Sequence, residues 1–135
     1  MIRKSKISDI KEIKKLIDNT KEMDTTQETF SEDYFKRLVK KGIILLAEED
    51  NSIIGICFGT YNKKEKWADL LGLMVKIEYR KKGIGSALVK EFEKIAKLNK
   101  LKTIDLFADK QQINLFNSLG YKKGRVYTAL RKKLN

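Results

Sequence analysis

The residues of this 135-residue chain best suited to chemistry lie in Arg80-Lys81-Lys82-Gly83-Ile84-Gly85-Ser86. The run stands between an apolar strand-like segment ending at Val75 and an apolar stripe, Ile84, Leu88, Phe92 and Ile95, at helical spacing. Glycines at such a junction let backbone N–H groups approach a ligand closely, and the helix start faces it with partial positive charge. The chemistry this predicts is binding of a phosphate-bearing ligand. Spacing excludes two readings of the turn. The chain has no Gly-x-x-x-x-Gly-Lys-Ser/Thr run of the kind a P-loop needs. A dinucleotide fingerprint wants Gly or Ala where Leu88 stands, and although Asp105 falls 20 residues past Gly85, a chain this short with a meander before the turn has no room for a doubly wound sheet.

Other chemistry is narrowed by what is missing. A single Cys57 and no His exclude a disulfide framework, a Cys/His zinc site, a Ser-His-Asp triad and a Cys-His dyad. Carboxylates, hydroxyls, amines and backbone remain, and no metal site is expected. Cys57, on an apolar strand, reads as core packing, and Trp67 as a core anchor.

The elements that must position the turn follow from periodicity. A strand is expected over residues 2–7 and a helix over 8–20 behind Ser8-Asp9. Ser31 caps a second helix running to Lys41, with Phe30 and Phe35 as its hydrophobic staple and Gly42 as its C-terminal stop. Strands over 43–49, 53–61 and 67–75, separated by short polar turns, make a β-meander. A helix over 82–99 and a strand over 101–107 complete a right-handed crossover that makes 67–75 and 101–107 parallel. A shorter helix over 110–119 ends at Gly120, and a last strand is expected over 125–130. The fold class is α/β (α+β), a mixed, mostly antiparallel sheet with helices on both faces, in one domain over 1–135.

Charge divides the chain. Residues 1–50 hold 11 basic and 11 acidic side chains, whereas residues 51–135 hold 19 and 7, so the whole net charge of +12 lies in the second part. An anionic ligand or nucleic acid would suit it, as would a plain lysine-rich composition. The lysines are scattered and the aromatics form no stacking series, so no nucleic acid is expected. No membrane span or secretory leader is visible, and a cytoplasmic location is expected.

The pattern Arg80-x-x-Gly83-x-Gly85, with the strand before it and the amphipathic helix after it, resembles the acyl-CoA-binding motif Arg/Gln-x-x-Gly-x-Gly/Ala of the GNAT family of N-acetyltransferases. The likeness extends along nearly the whole chain: two N-terminal helices, a meander, the motif helix, a parallel strand and a helix ending in Gly120-Tyr121 come in the family's order. The resemblance implies acetyl-CoA as cosubstrate. It implies that the pyrophosphate rests on N–H groups of Lys81, Lys82, Gly83, Ile84, Gly85 and Ser86 beside Arg80, and that the pantetheine arm pairs with Leu73, Met74 and Val75. The Val75 N–H then polarises the thioester carbonyl.

Asp69 is the expected base or water-holder, because some family members carry an acid on this strand and apolar neighbours raise a carboxyl pKa. Many members place a Tyr four residues before Gly-aromatic; here that slot holds Phe116, which can pack against the arm but cannot donate a proton. Asp109 is the nearest match to an Asn often seen upstream. Ser118, Tyr121 or Tyr127, or water, would have to protonate the leaving thiolate. The family's N-terminal helices shape the acceptor side, and here residues 18–33 carry six acids against Lys21. Glu22, Asp24 and Glu28 are accordingly expected to meet a cationic amine, on a small molecule or a protein. The reading is an N-acetyltransferase acting by direct attack in a ternary complex, as a monomer or homodimer; the alternatives are a non-catalytic acyl-CoA-binding regulator and a basic nucleic-acid-binding module.

Overall fold

Apolar residues run through strands β2 (Ile43–Glu49) and β3 (Ser52–Asn62) with almost no polar interruption, because helices cover both of their faces. In the computed structural model, which describes residues 1–20 and 30–135, these strands sit at the centre of a five-stranded sheet. Its order is β1 (Ile2–Lys4), β2, β3, β4 (Trp67–Val75) and β5 (Thr103–Leu106), antiparallel except for the parallel β4/β5 pair. Asp50 and Asn51 join β2 to β3 with φ of 51° and 61°, the pair of positive values that a two-residue hairpin turn requires.

Alternate side chains serve the two layers. Ile43, Leu45 and Cys57 pack with Leu88, Val89 and Phe92 of α3 (Ile84–Leu98). Ile44, Leu46, Ile56 and Phe58 pack with Ile13, Leu16 and Ile17 of α1 (Ile10–Asp18) and with Phe35 and Leu38 of α2 (Glu32–Lys41). Ser31 Oγ caps α2 by accepting the Tyr34 N–H at 3.2 Å, and the Phe30 and Phe35 rings stack at 6.1 Å. Gly42 does end α2, but at φ −124° rather than in the left-handed region. A glycine is needed there because a Cβ would lie 2.7 Å from Gly59 O.

The first strand is shorter than expected, since the chain turns into a single 3-10 turn at Ile7–Asp9. Arg3 fixes that corner: its Nη1 and Nη2 donate to the two Asp9 carboxylate oxygens at 2.8 and 2.9 Å, and its Nε and Nη2 donate to Glu48 at 3.0 and 3.1 Å. The guanidinium holds the Asp9 carboxyl below its usual range. A carboxyl lowered in the folded state stabilises the fold fully above its unfolded value, about 3.9, and loses that contribution as pH falls through the folded one. Asp9→Asn is therefore expected to cost about 1–2 kcal/mol at pH 7. In urea denaturation that difference should disappear once the pH is taken well below 4.

The strand expected over 125–130 is absent. Residues 120–135 form no regular element, and Val126 and Leu130 are exposed. Residues 122–135 carry six cations and no acid, a like-charge run that disfavours a packed strand, and their large apolar side chains are exposed. Tyr127 meets the exposed Phe107 ring, edge to face at 5.6 Å. The last helix is also short, α4 spanning Ile113–Ser118, because Asp109 Oδ1 accepts the N–H groups of Gln111 and Gln112 and folds the preceding residues into a turn. Among the described residues no helix is long and apolar enough to cross a membrane.

Candidate active site

Strand β4 outruns its parallel neighbour. Pairing with β5 begins at Trp67↔Thr103 and ends at Leu70↔Leu106, after which Leu71 to Val75 have no strand on that side. A bulge marks the divergence: Phe58 faces Gly72 and Gly59 faces Leu70, so Leu71 is an extra residue on β4. The Lys76 N–H donates to Ile54 O at 2.8 Å. From there the antiparallel ladder alternates, so the N–H and C=O groups of Leu73 and Val75 point away from β3 and onto the open edge. The carbonyls bear this out: Val75 O accepts from Arg80 Nε at 2.8 Å and Leu73 O from Gln112 Nε2 at 3.1 Å.

The glycine-rich turn closes the end of that edge. Gly83 takes φ +83° and ψ 5° as the N-cap of α3, with no side chain capping the helix. The Ala87 N–H is the first to find a helical carbonyl, on Gly83 at 3.0 Å, which leaves the N–H groups of Ile84, Gly85 and Ser86 as free donors of the helix start. A cleft of ≈ 520 Å³ runs between the β4 edge, this turn and the segment from Asp109 to Leu115. Backbone donors at one end and an unpaired strand edge along the wall suit a ligand with a phosphate head and an extended amide arm. Acyl-CoA has that form.

A profile of the acetyltransferase (GNAT) family matches residues 10–121. The chain belongs to this family. Among curated proteins no sequence matches. Solved structures of similar fold include an aminoglycoside acetyltransferase from an uncultured soil metagenomic sample, 19% identical with a TM-score of 0.77 and 98% of each chain covered. The PaiA N-acetyltransferase of Thermoplasma acidophilum in complex with coenzyme A is 23% identical, with a TM-score of 0.72 over 89% of this chain and 86% of that one. Glucosamine-6-phosphate N-acetyltransferase from Arabidopsis thaliana is 16% identical, with a TM-score of 0.78 and 98% of each chain covered.

Within this GNAT fold, the residues singled out in the sequence fall into three groups. Leu73, Met74, Val75, Arg80, Lys81, Gly83, Ile84, Gly85, Ser86 and Asp109 all line the cleft. Lys82 does not line it; its Nζ sits 5.6 Å from the centre of the Tyr79 ring. Phe116 is buried in the core, with the Tyr121 ring 5.4 Å away, so it does not reach the place where an arm would lie. Glu22, Asp24 and Glu28 lie outside the described residues.

The acid candidates are not brought to the cleft. Ser118 Oγ donates to Leu115 O at 2.6 Å on the exposed side of α4, Tyr127 is on the exposed tail, and the Tyr121 hydroxyl is enclosed in the core without a well-formed hydrogen bond. Burial, and secondarily Glu93, push the Tyr121 hydroxyl well above the usual tyrosine value, which makes it a poor proton donor. Asp69 stands next to Asp105 across the β4/β5 pairing, beyond the cleft-lining residues. Burial first, and the Asp105 carboxylate second, raise its pKa. Burial likewise keeps Cys57 protonated. No group of three or more His, Cys, Asp or Glu among the described residues could hold a metal.

Tyr79 and Gln112 are among the cleft residues that escaped sequence reasoning. Tyr79 lies inside the motif region, where attention went to its glycines and cations. Gln112 carries no charge and matches no motif; its only signal was a polar residue at the start of a short helix.

Proposed function

We propose that the protein is an N-acetyltransferase that moves the acetyl group of acetyl-CoA directly to a primary amine while both are bound. The observation that carries the reading is the open β4 edge ending on the free amides of α3, within one cleft. Bound there, acetyl-CoA supplies an activated thioester. The amides of Ile84 to Ser86 hold its pyrophosphate, Arg80 and Lys81 add positive potential, and the Val75 N–H, aimed off the sheet, stabilises the charge that develops on the carbonyl oxygen.

The acceptor must lose a proton before it attacks. An alkylamine is neutral about once in 2,500 molecules at pH 7, a cost of roughly 4.6 kcal/mol. Asp69, with its pKa raised and its place beyond the cleft lining, takes that proton through a water. CoA departs as its thiolate, whose thiol has a pKa of about 8.5 by analogy with cysteine, and takes its proton from water rather than from a protein acid. Asp69→Asn is expected to lower kcat about 10–100-fold with little change in KM for acetyl-CoA. The acid limb of the pH–rate profile, where the wild type loses activity as pH falls through the raised Asp69 pKa, should vanish in the variant.

The acceptor class follows from charge: acids near the N-terminal helices, and aminoglycoside acetyltransferases among the structural neighbours, favour a cationic amine such as an amino sugar or polyamine. The test is incubation with acetyl-CoA and a panel of amino sugars, polyamines, amino acids and peptides, read by mass spectrometry for the gain of one acetyl group. The absence of an α4 hydroxyl in the cleft favours a second reading, a regulator that binds acyl-CoA without turning it over. Steady-state turnover with any amine removes it.

A further inference from the structure

Both outward carbonyls on the open edge of β4 are already engaged by side chains of the chain itself. Arg80 reaches Val75 O from five residues away, a local contact, whereas Gln112 reaches Leu73 O across 39 residues. Its placement is built from below. Asp109 Oδ1 accepts the N–H groups of Gln111 and Gln112 at 2.9 and 3.0 Å, which fixes the backbone before α4 begins and leaves the Gln112 side chain extended across the cleft to the strand. The group it presents is a carboxamide N–H. That is the same donor a neighbouring strand, or any extended amide ligand, would offer to Leu73 O.

An unpaired strand edge is a template for pairing with other chains, and proteins commonly cover it. Leu73 O and Val75 O each already accept a bond, while no partner strand meets the N–H donors of Leu73 and Val75. Because the Gln112 carboxamide lies against Leu73 O inside the cleft, a ligand that pairs there through its own amide competes with it for that oxygen and for the space beside it.

We propose that Gln112 is a displaceable stand-in for the ligand's amide, a positioning residue that holds Leu73 O until the arm of acyl-CoA replaces it and that fixes the register at which the arm pairs. The proposal rests on the acyl-CoA reading above. It makes Gln112 a competitor of the arm alone: ligands with the phosphates but no amides do not meet it.

The test is calorimetric titration of CoA, and of adenosine 3′,5′-bisphosphate, which lacks the amide arm, into wild type, Gln112→Ala and Gln112→Met. Methionine keeps the length of the side chain and its packing but cannot donate, so it guards against an effect of altered cleft shape. Both variants are expected to bind CoA about fivefold more tightly, the worth of one neutral hydrogen bond no longer displaced. Their affinity for the bisphosphate should stay at the wild-type value. In ¹⁵N spectra of the wild type, the Gln112 side-chain amide should shift with CoA and not with the bisphosphate.

Unchanged or weaker CoA binding in both variants overturns the proposal, as does an equal shift for the two ligands. If the wild type binds neither ligand, the acyl-CoA reading fails and this proposal with it; if it binds both and the variants do not discriminate, only the role of Gln112 fails.

Discussion

Ser86→Asp is expected to leave the protein at least as stable as the wild type while weakening acetyl-CoA binding about 100-fold or more. Ser86 is the third residue of α3 and lines the cleft. The property that welcomes a phosphate there also welcomes an aspartate: free N–H groups and the positive end of the helix dipole favour any anion in the first turn, by about 0.3–1 kcal/mol for a side chain. The helix has no acid in its first turn and no side-chain cap, so the introduced carboxylate fills an open place rather than displacing a bond. For the ligand the effect is opposite. A fixed negative charge a few ångströms from the pyrophosphate is repelled by several kcal/mol at the effective dielectric of a protein surface, and about 2.7 kcal/mol already corresponds to 100-fold. Thermal unfolding without ligand and titration with acetyl-CoA read the two halves separately. A variant that melts normally yet binds acetyl-CoA like the wild type would place the phosphates away from α3.

How much of this was legible in the sequence depended on whether a residue's role was local. The turn at Asp50-Asn51, the Ser31 cap and the stripe Leu88, Phe92 and Ile95 are set by neighbours a few positions away, and periodicity and capping rules found them. The position of the turn at Gly83 and Gly85 was legible for the same reason. The unformed strand over 125–130 has β-type residues, but a strand exists only where another offers it hydrogen bonds, and that offer is not written in the segment. Gln112 is a stronger case, because its partner Leu73 lies 39 residues away and only the divergence of β4 from β5 brings them together. The exclusion of Phe116, Ser118 and Tyr121 from the cleft likewise depends on which face α4 turns inward. Six residues are too few for a helical stripe to decide that.

The largest effect on the fold is expected at the glycines that let β3 and β4 approach each other around the bulge, and two of them should respond differently to the same test. A Cβ on Gly59 would run into the backbone oxygen of Asp69 and lie 2.9 Å from the Phe92 ring. Backbone in the middle of a paired sheet cannot yield without breaking its ladder, so Gly59→Ala is expected to cost about 3 kcal/mol or more, lowering the melting temperature by about 10 °C or more. A Cβ on Gly72 would instead strike the Phe58 ring, a side chain fully buried among Phe30, Tyr34 and Phe35. Alone, Gly72→Ala should be nearly as damaging, because the ring sits in a packed cluster with nowhere to move. Shortening the obstacle separates the cases. Phe58→Leu frees space at Gly72, so the pair Gly72→Ala/Phe58→Leu should be more stable than the sum of its single losses by about 1–2 kcal/mol. Phe92→Leu leaves the Asp69 oxygen in place, so Gly59→Ala/Phe92→Leu should show no such recovery. Because Gly72 lies on the stretch of β4 that lines the cleft, the rescued Gly72 pair also tests the site: restored stability with restored acetyl-CoA affinity would mean that the bulge serves to aim the open edge, and the edge tolerates a side chain once Phe58 gives way.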